Sequence, residues 1–238
     1  MNNEEQTSTE KFTGTMPVQE KLKFPEKELE KYLNDTVSDF EGPLEVREFK
    51  GGQSNPTYQL VTPKKKYVLR RKPPGKLLPS AHAVDREYKV ITALNSDNYP
   101  VPKTFCLCLD ESIIGTIFYV MEMVDGNIYW EPALPECDNK MRSEIFKEKN
   151  KTLAQLHNTD YKAIGLEDFG KPGNYFSRQI SRWTKQYIAS ETEEIKEMNS
   201  LIDWLPNNIP EGDETSIVHG DYRLDNMVID KNSLKVIA

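Results

Sequence analysis

Between Leu44 and Val124 five short runs of strand-forming residues surround one stretch of helical period, and after Asp125-Gly126 the apolar spacing switches to that of helices throughout. A chain with this order can bury its apolar residues only as a β-rich lobe followed by an α-rich one. The runs LEVREF (44–49), TYQLV (57–61) and KYVLR (66–70) are separated by turn chemistry at Gly51-Gly52, Asn55-Pro56 and Pro63-Lys64-Lys65, and predict an antiparallel meander. HAVDREYKVITALN then carries Val84, Tyr88, Ile91 and Leu94 on one helical face, and TFCLCLD and TIFYVMEMV predict two further strands. The expectation is an α+β fold: five antiparallel strands with one main helix between the third and fourth, then a helical lobe.

Upstream, FPEKELEKYLNDTV predicts a helix with Leu29, Tyr32 and Leu33 on one face and Pro25 near its start. Downstream, one helix starting near Asp138 carries Ile145, Leu153 and Leu156. A second carries Phe176, Ile180, Trp183 and Tyr187, and a third carries Ile195, Met198, Ile202 and Leu205. SIVHG, MVID and LKVIA predict short closing strands. The organisation expected is a disordered tail over 1–23, a β-rich lobe over 24–125 and a helical lobe over 126–238.

Composition narrows the function classes. With 238 residues, 37% of them apolar, the chain can build an ordinary core, and its net charge of -7 disfavours a partner that must be gripped through phosphates, so no nucleic acid is expected. Cys106, Cys108 and Cys137 form no C-x-x-C, which argues against a disulfide frame or zinc knuckle. The first residues lack an apolar signal region and are too acidic for a mitochondrial presequence, and SIIGTIFYVMEMV is interrupted and too short for a membrane span. The expectation is a cytoplasmic protein with no membrane partner.

Chemistry concentrates in three places. In KYVLRRK, strand alternation puts Val68, Arg70 and Lys72 on one face and Tyr67, Leu69 and Arg71 on the other. An apolar residue with a cation two positions on can cover a nucleotide base and reach its phosphates, and taking Lys72 as the cation would leave Arg70 under the base without a partner. Glu87, one position before Tyr88 in the apolar stripe of the following helix, is costly there unless paired, and Arg70 is the partner expected. In FKGGQSNPTYQL, Gly51 and Gly52 allow a close backbone approach, and the small Ser54 and Asn55 leave N–H groups for a phosphate; an ordinary hairpin turn explains the same residues.

HGDYRLDN (219–226) carries the strongest signal. Phosphoryl transfer to an alcohol needs a carboxylate to orient or accept the hydroxyl proton and an oxygen ligand for Mg2+. Asp221 is the candidate base, Asn226 the candidate metal ligand, and Arg223 a counter-charge to the transferring phosphate. His219 reads as a residue pinning the loop, His82 as a helix-start residue and His157 as a helix-face residue.

Together GGQSNPTYQL, YVLRRKPPG, REYKVITAL, FYVMEMVDG and VHGDYRLDNMVID resemble the aminoglycoside phosphotransferase (choline kinase-like) family. Within it, LPSAHAVDREY, GLEDFGKPGNY and LIDWLP resemble the kinase-like domain that precedes an acyl-CoA dehydrogenase in longer proteins. The resemblance, over roughly residues 24 to 238, implies a bilobal protein-kinase-like fold. It also implies ATP and Mg2+ as cofactors, with the adenine near Met121, Glu122 and Met123, and transfer to a small-molecule hydroxyl, hydroxyacyl compounds included. Association with an acyl-CoA dehydrogenase domain is implied as well. Arg70 stands where most of the family has lysine, and the second metal-binding Asp of the family would fall just past Ala238. The resemblance therefore leaves two alternatives beside the kinase, a nucleotide-binding module without turnover and an inactive fragment of a longer protein.

Overall fold

Strand pairing follows the alternation in the sequence. The computed structural model describes residues 11–51, 55–75, 82–212 and 214–238. Its sheet has six strands, β1 (Thr15–Met16), β2 (Glu45–Phe49), β3 (Thr57–Val61), β4 (Lys66–Arg71), β5 (Thr104–Cys108) and β6 (Phe118–Glu122), in the order β1-β2-β3-β4-β6-β5. All neighbours run antiparallel.

Each face of the sheet carries one helix. Helix α1 (Glu26–Thr36) buries Leu29 and Leu33 against Tyr58, Leu60, Tyr67, Leu69, Phe118 and Val120, one parity of the central strands. The other parity is covered by α2 (Val84–Ser96), where Val84, Tyr88 and Ile91 pack on Leu107, Ile117, Tyr119 and Met121. Val68 and Arg70 lie on this second parity, beside Met121 and Tyr119 in register.

Two expectations change. The tail predicted over 1–23 is ordered from residue 11: β1 pairs with β2, and Gln19 donates from both its backbone and its side chain to the buried Glu48. A two-residue strand in a polar stretch has no periodicity to reveal it, so five strands were read where six occur. Residues 1–10 lie outside the described residues. SIVHG forms no strand, and MVID and LKVIA supply single bridges, Asn127 to Ile229 and Ile229 to Val236, in place of a ladder.

These bridges tie the segment after β6 to the segment after the HGDYRLDN loop. A β-carbon on Gly126 would lie 2.6 Å from Val228 Cγ1 and 2.7 Å from the Ile229 carbonyl oxygen, so this crossing needs glycine. A second core gathers Tyr129, Leu134, Cys137 and Ile145 with Leu224, Met227, Ile229 and Val236. Ile145 belongs to α3 (Asn139–Asn158), whose first turn is capped by Asp138 accepting from the Met141 N–H at 2.8 Å. The phenol of Tyr99, after α2, donates to the Thr152 carbonyl on α3.

Residues up to Thr159 together with Val218–Ala238 form one compact unit, and Asp160–Ile217 a second containing α4 (Tyr175–Ser190) and α5 (Lys196–Trp204). This grouping differs from the lobes expected from the change of periodicity, because the crossing at Gly126 and the Tyr99 contact join 126–159 and 218–238 to the sheet. Neither α4 nor α5 contains a buried residue, although the predicted apolar stripe is present. Among the described residues no helix is long and apolar enough to cross a membrane.

Candidate active site

Arg70 reaches the site because β4 runs through the middle of the sheet and α2 packs on that face. Its Nε lies 3.4 Å from Glu87 Oε2, so the pair expected from sequence is formed. Glu87 has further partners: its Oε1 accepts from Asn55 Nδ2 at 2.8 Å and its Oε2 from the Tyr119 hydroxyl at 3.1 Å. Asn55 in turn meets His82 Nδ1 through its Oδ1 at 2.7 Å. Tyr119 is fully buried, and its phenol is pushed up by that burial, with Arg70 opposing and Glu87 adding to the shift. It therefore serves as a hydrogen-bond donor to the carboxylate.

The base-covering and base-edge positions lie around this pair. Val68 is buried opposite Met121. Met121 and Met123 are half-buried and Glu122 exposed, where β6 gives way to the segment leading to Gly126. Gly51 abuts the ring of Trp130, which stacks on Phe12 and donates from Nε1 to Thr13 Oγ1 at 3.2 Å. Gly52 and Ser54 lie outside the described residues. Asn55, whose N–H is the candidate phosphate donor, is only 3% exposed, and its side chain is turned to Glu87 and His82.

The HGDYRLDN loop is held from below. Leu224 and Met227 are buried in the second core, and the Tyr222 hydroxyl donates to the Lys149 carbonyl on α3 at 2.7 Å. Burial pushes that phenol up to about 12. Gly220 turns with φ of 83°, a left-handed conformation that glycine adopts at little cost. Above these anchors Asp221 faces solvent. Its Oδ1 lies 2.9 Å from Arg223 Nε, and its Oδ2 and backbone carbonyl both accept from Asn226 Nδ2 at 2.9 Å. Arg223 also pairs with Asp225 at 3.0 Å.

His219 pins the loop as expected: its Nδ1 accepts from the Asp221 N–H at 3.2 Å, which leaves the ring proton on Nε2. Burial beside Tyr222 lowers the imidazole below its ordinary value, and the Asp221 carboxylate opposes that shift.

The donor set bears on Mg2+. Among the described residues no group of three or more His, Cys, Asp or Glu side chains could hold a metal unaided. With its NH2 turned to Asp221, Asn226 keeps its carbonyl oxygen for another partner, beside one carboxylate. Mg2+ takes few protein oxygens and completes its shell with water and phosphate, so these residues fit a metal that arrives with a nucleotide.

Tyr119 and His82 were missed as members of the site. Parity places Tyr119 beside Arg70, but nothing in the sequence says where its hydroxyl points. His82 stands just before the Ala83 cap of α2, and nothing in the sequence shows its tie to Asn55.

Residues 45–237 match a family model described as phosphotransferase enzyme family, APH. The mouse protein named acyl-CoA dehydrogenase family member 10 is 44% identical over 226 residues, covering 94% of this chain and 21% of that protein. Human acyl-CoA dehydrogenase family member 11 is 45% identical over 221 residues, 91% of this chain and 28% of that protein. The chain thus spans less than a third of either relative. Among solved structures, a candidate aminoglycoside phosphotransferase of Ralstonia eutropha superposes with a TM-score of 0.81 at 50% identity, over 91% of this chain and 64% of that one. The APH(2")-IIa protein of a streptomycin-ATP ternary complex shares the fold, with a TM-score of 0.56 at 17% identity over 88% of this chain and 67% of that one. Kinase-like topology, an Arg-Glu pair between strand and helix, and an Asp-Asn loop held on a helical base thus occur together in a chain that belongs to the phosphotransferase enzyme family, APH.

Proposed function

We propose that the chain is an ATP-dependent phosphotransferase acting on the hydroxyl of a small molecule. The observation that carries this reading is the Asp221 carboxylate, set on a buried footing yet open to solvent and oriented by Asn226 and Arg223. Asp221 accepts or orients the acceptor's hydroxyl proton, and Arg223 is placed to counter charge on the transferring phosphate. Arg70, steadied by Glu87, addresses the nucleotide phosphates, and Val68 with Met121 covers the base. Asn226 would hold Mg2+ through its carbonyl oxygen; when bound, that ion neutralises phosphate charge. Support for ATP comes from the fold shared with a protein solved as an ATP complex. Support for association with an acyl-CoA dehydrogenase domain comes from the names of the relatives.

The test is ATP turnover with Mg2+ over hydroxyacids, hydroxyacyl thioesters and amino alcohols. Asp221→Asn should lower kcat by about 100-fold or more with little change in ATP affinity; transfer that survives it overturns the assignment of the base. A second reading, nucleotide binding without turnover, is favoured by arginine at position 70, where most of the family has lysine. Calorimetry separates the two, since tight magnesium-independent ATP binding with no transfer supports the second.

A further inference from the structure

We propose that Asn55 is a positioning residue of the phosphate site, holding the Glu87 carboxylate in the direction from which it aims Arg70. The inference rests on the kinase reading above and assigns Asn55 a role distinct from phosphate contact. Its side chain is nearly shut off from water, so both ends of the carboxamide must be satisfied within the protein. The NH2 group donates to Glu87 at 2.8 Å, and the carbonyl meets His82 at 2.7 Å.

The Arg70 contact cannot orient the carboxylate by itself. It is 3.4 Å long, and Arg70 Nε is buried without a hydrogen-bond acceptor in line. The two short, directed bonds to Glu87 come from Asn55 and Tyr119, one to each oxygen. Arg70 then sits in the field of a carboxylate that other groups have fixed. His82 reinforces this from the far side. Its φ of 58° lies in the left-handed region that a histidine adopts only at some cost, and it stands one residue before the Ala83 cap of α2, whose Val84 N–H donates to its carbonyl.

Asn55 also closes the loop that begins at Gly51 and leads into β3, and its carbonyl accepts from Thr57 Oγ1 at 3.0 Å. The residue that leads into β3 is therefore fastened to the same acid that guides the phosphate-directed cation.

The experiment measures affinity for ATP and for adenosine by calorimetry in the full chain, comparing the parent with Asn55→Ala, Glu87→Ala, the double variant and His82→Ala. Asn55→Ala should weaken ATP about tenfold and leave adenosine unchanged, since the phosphates alone are read through Arg70. The double variant should bind ATP no more weakly than Glu87→Ala alone, because both changes act through one group. His82→Ala should give a smaller loss of the same kind, and it carries the test if Asn55→Ala lowers the melting temperature sharply. Additive losses, equal losses for ATP and adenosine, or an unchanged ATP affinity in Asn55→Ala with parental binding intact would overturn the role of Asn55 alone. Absence of ATP binding by the parent would overturn both this inference and the kinase reading.

Discussion

At the scale of single residues, the Arg70-Glu87 pair illustrates how function and stability part company. Both side chains keep about a third of their exposure, at 31% and 32%, so the pair contributes at most about 1 kcal/mol to folding. A double-mutant cycle across the pair should therefore return a coupling of at most about 1 kcal/mol in unfolding, whereas Glu87→Ala by itself should cost about 1–3 kcal/mol, because it strips the buried Asn55 amide and Tyr119 hydroxyl of their acceptor, and should weaken ATP as well. Arg70→Lys should keep ATP binding within severalfold, whereas Arg70→Met loses about tenfold or more. Equal losses would mean that the planar fork itself is read. His219 gives a pH dependence. Burial lowers its folded pKa below the ordinary 6.5, so the unfolded chain takes up the proton first as pH falls. Its contribution is complete above the ordinary value and is lost as pH drops through the lowered one. The ring keeps an exposed edge, so the effect is small. His219→Gln should flatten the stability profile between about pH 7 and about pH 5 in denaturant titrations. Position along the chain was enough to pair residues 70 and 87, because strand parity and helix phase are local properties. The roles of Tyr119, His82 and the Asn55 carboxamide were not legible, since each depends on which hydroxyl, ring or amide meets which acid in three dimensions.

At the scale of elements, the crossing at Gly126 connects the lobes' chemistry. There the segment after β6 runs against Val228 and Ile229, two residues beyond the Asp-Asn loop, and Lys231 pairs with Asp125 at 2.7 Å. Gly126→Ala has to push backbone apart, so it should cost about 1–3 kcal/mol in stability and lower turnover more than ATP affinity. Thermal unfolding and steady-state kinetics check the two parts. The five longer strands and the helices on either side were readable because each buries one face at a regular period. β1 was not, having two residues and a polar context, and the closing segments were read as strands because short apolar runs look alike whether they form ladders or single bridges.

At the scale of the molecule, α4 and α5 show that an apolar stripe in a sequence does not guarantee burial. Phe176, Trp183, Ile188 and Trp204 are more than half exposed. The chain alone should bind a hydrophobic dye strongly, and replacing Trp183 and Trp204 by glutamine should reduce that signal. Arg71 presents the opposite case, an arginine only 2% exposed beneath the sheet. Its guanidinium donates to Tyr58, to the Ile114 carbonyl and, at 2.8 Å, to the Leu22 carbonyl, and rests on the Phe24 ring. A polypeptide started after residue 23 would take the Leu22 carbonyl from that guanidinium and leave it Tyr58 and Ile114 as acceptors. Losing that acceptor should remove about 1–3 kcal/mol of stability, read as a lowered midpoint in denaturant unfolding.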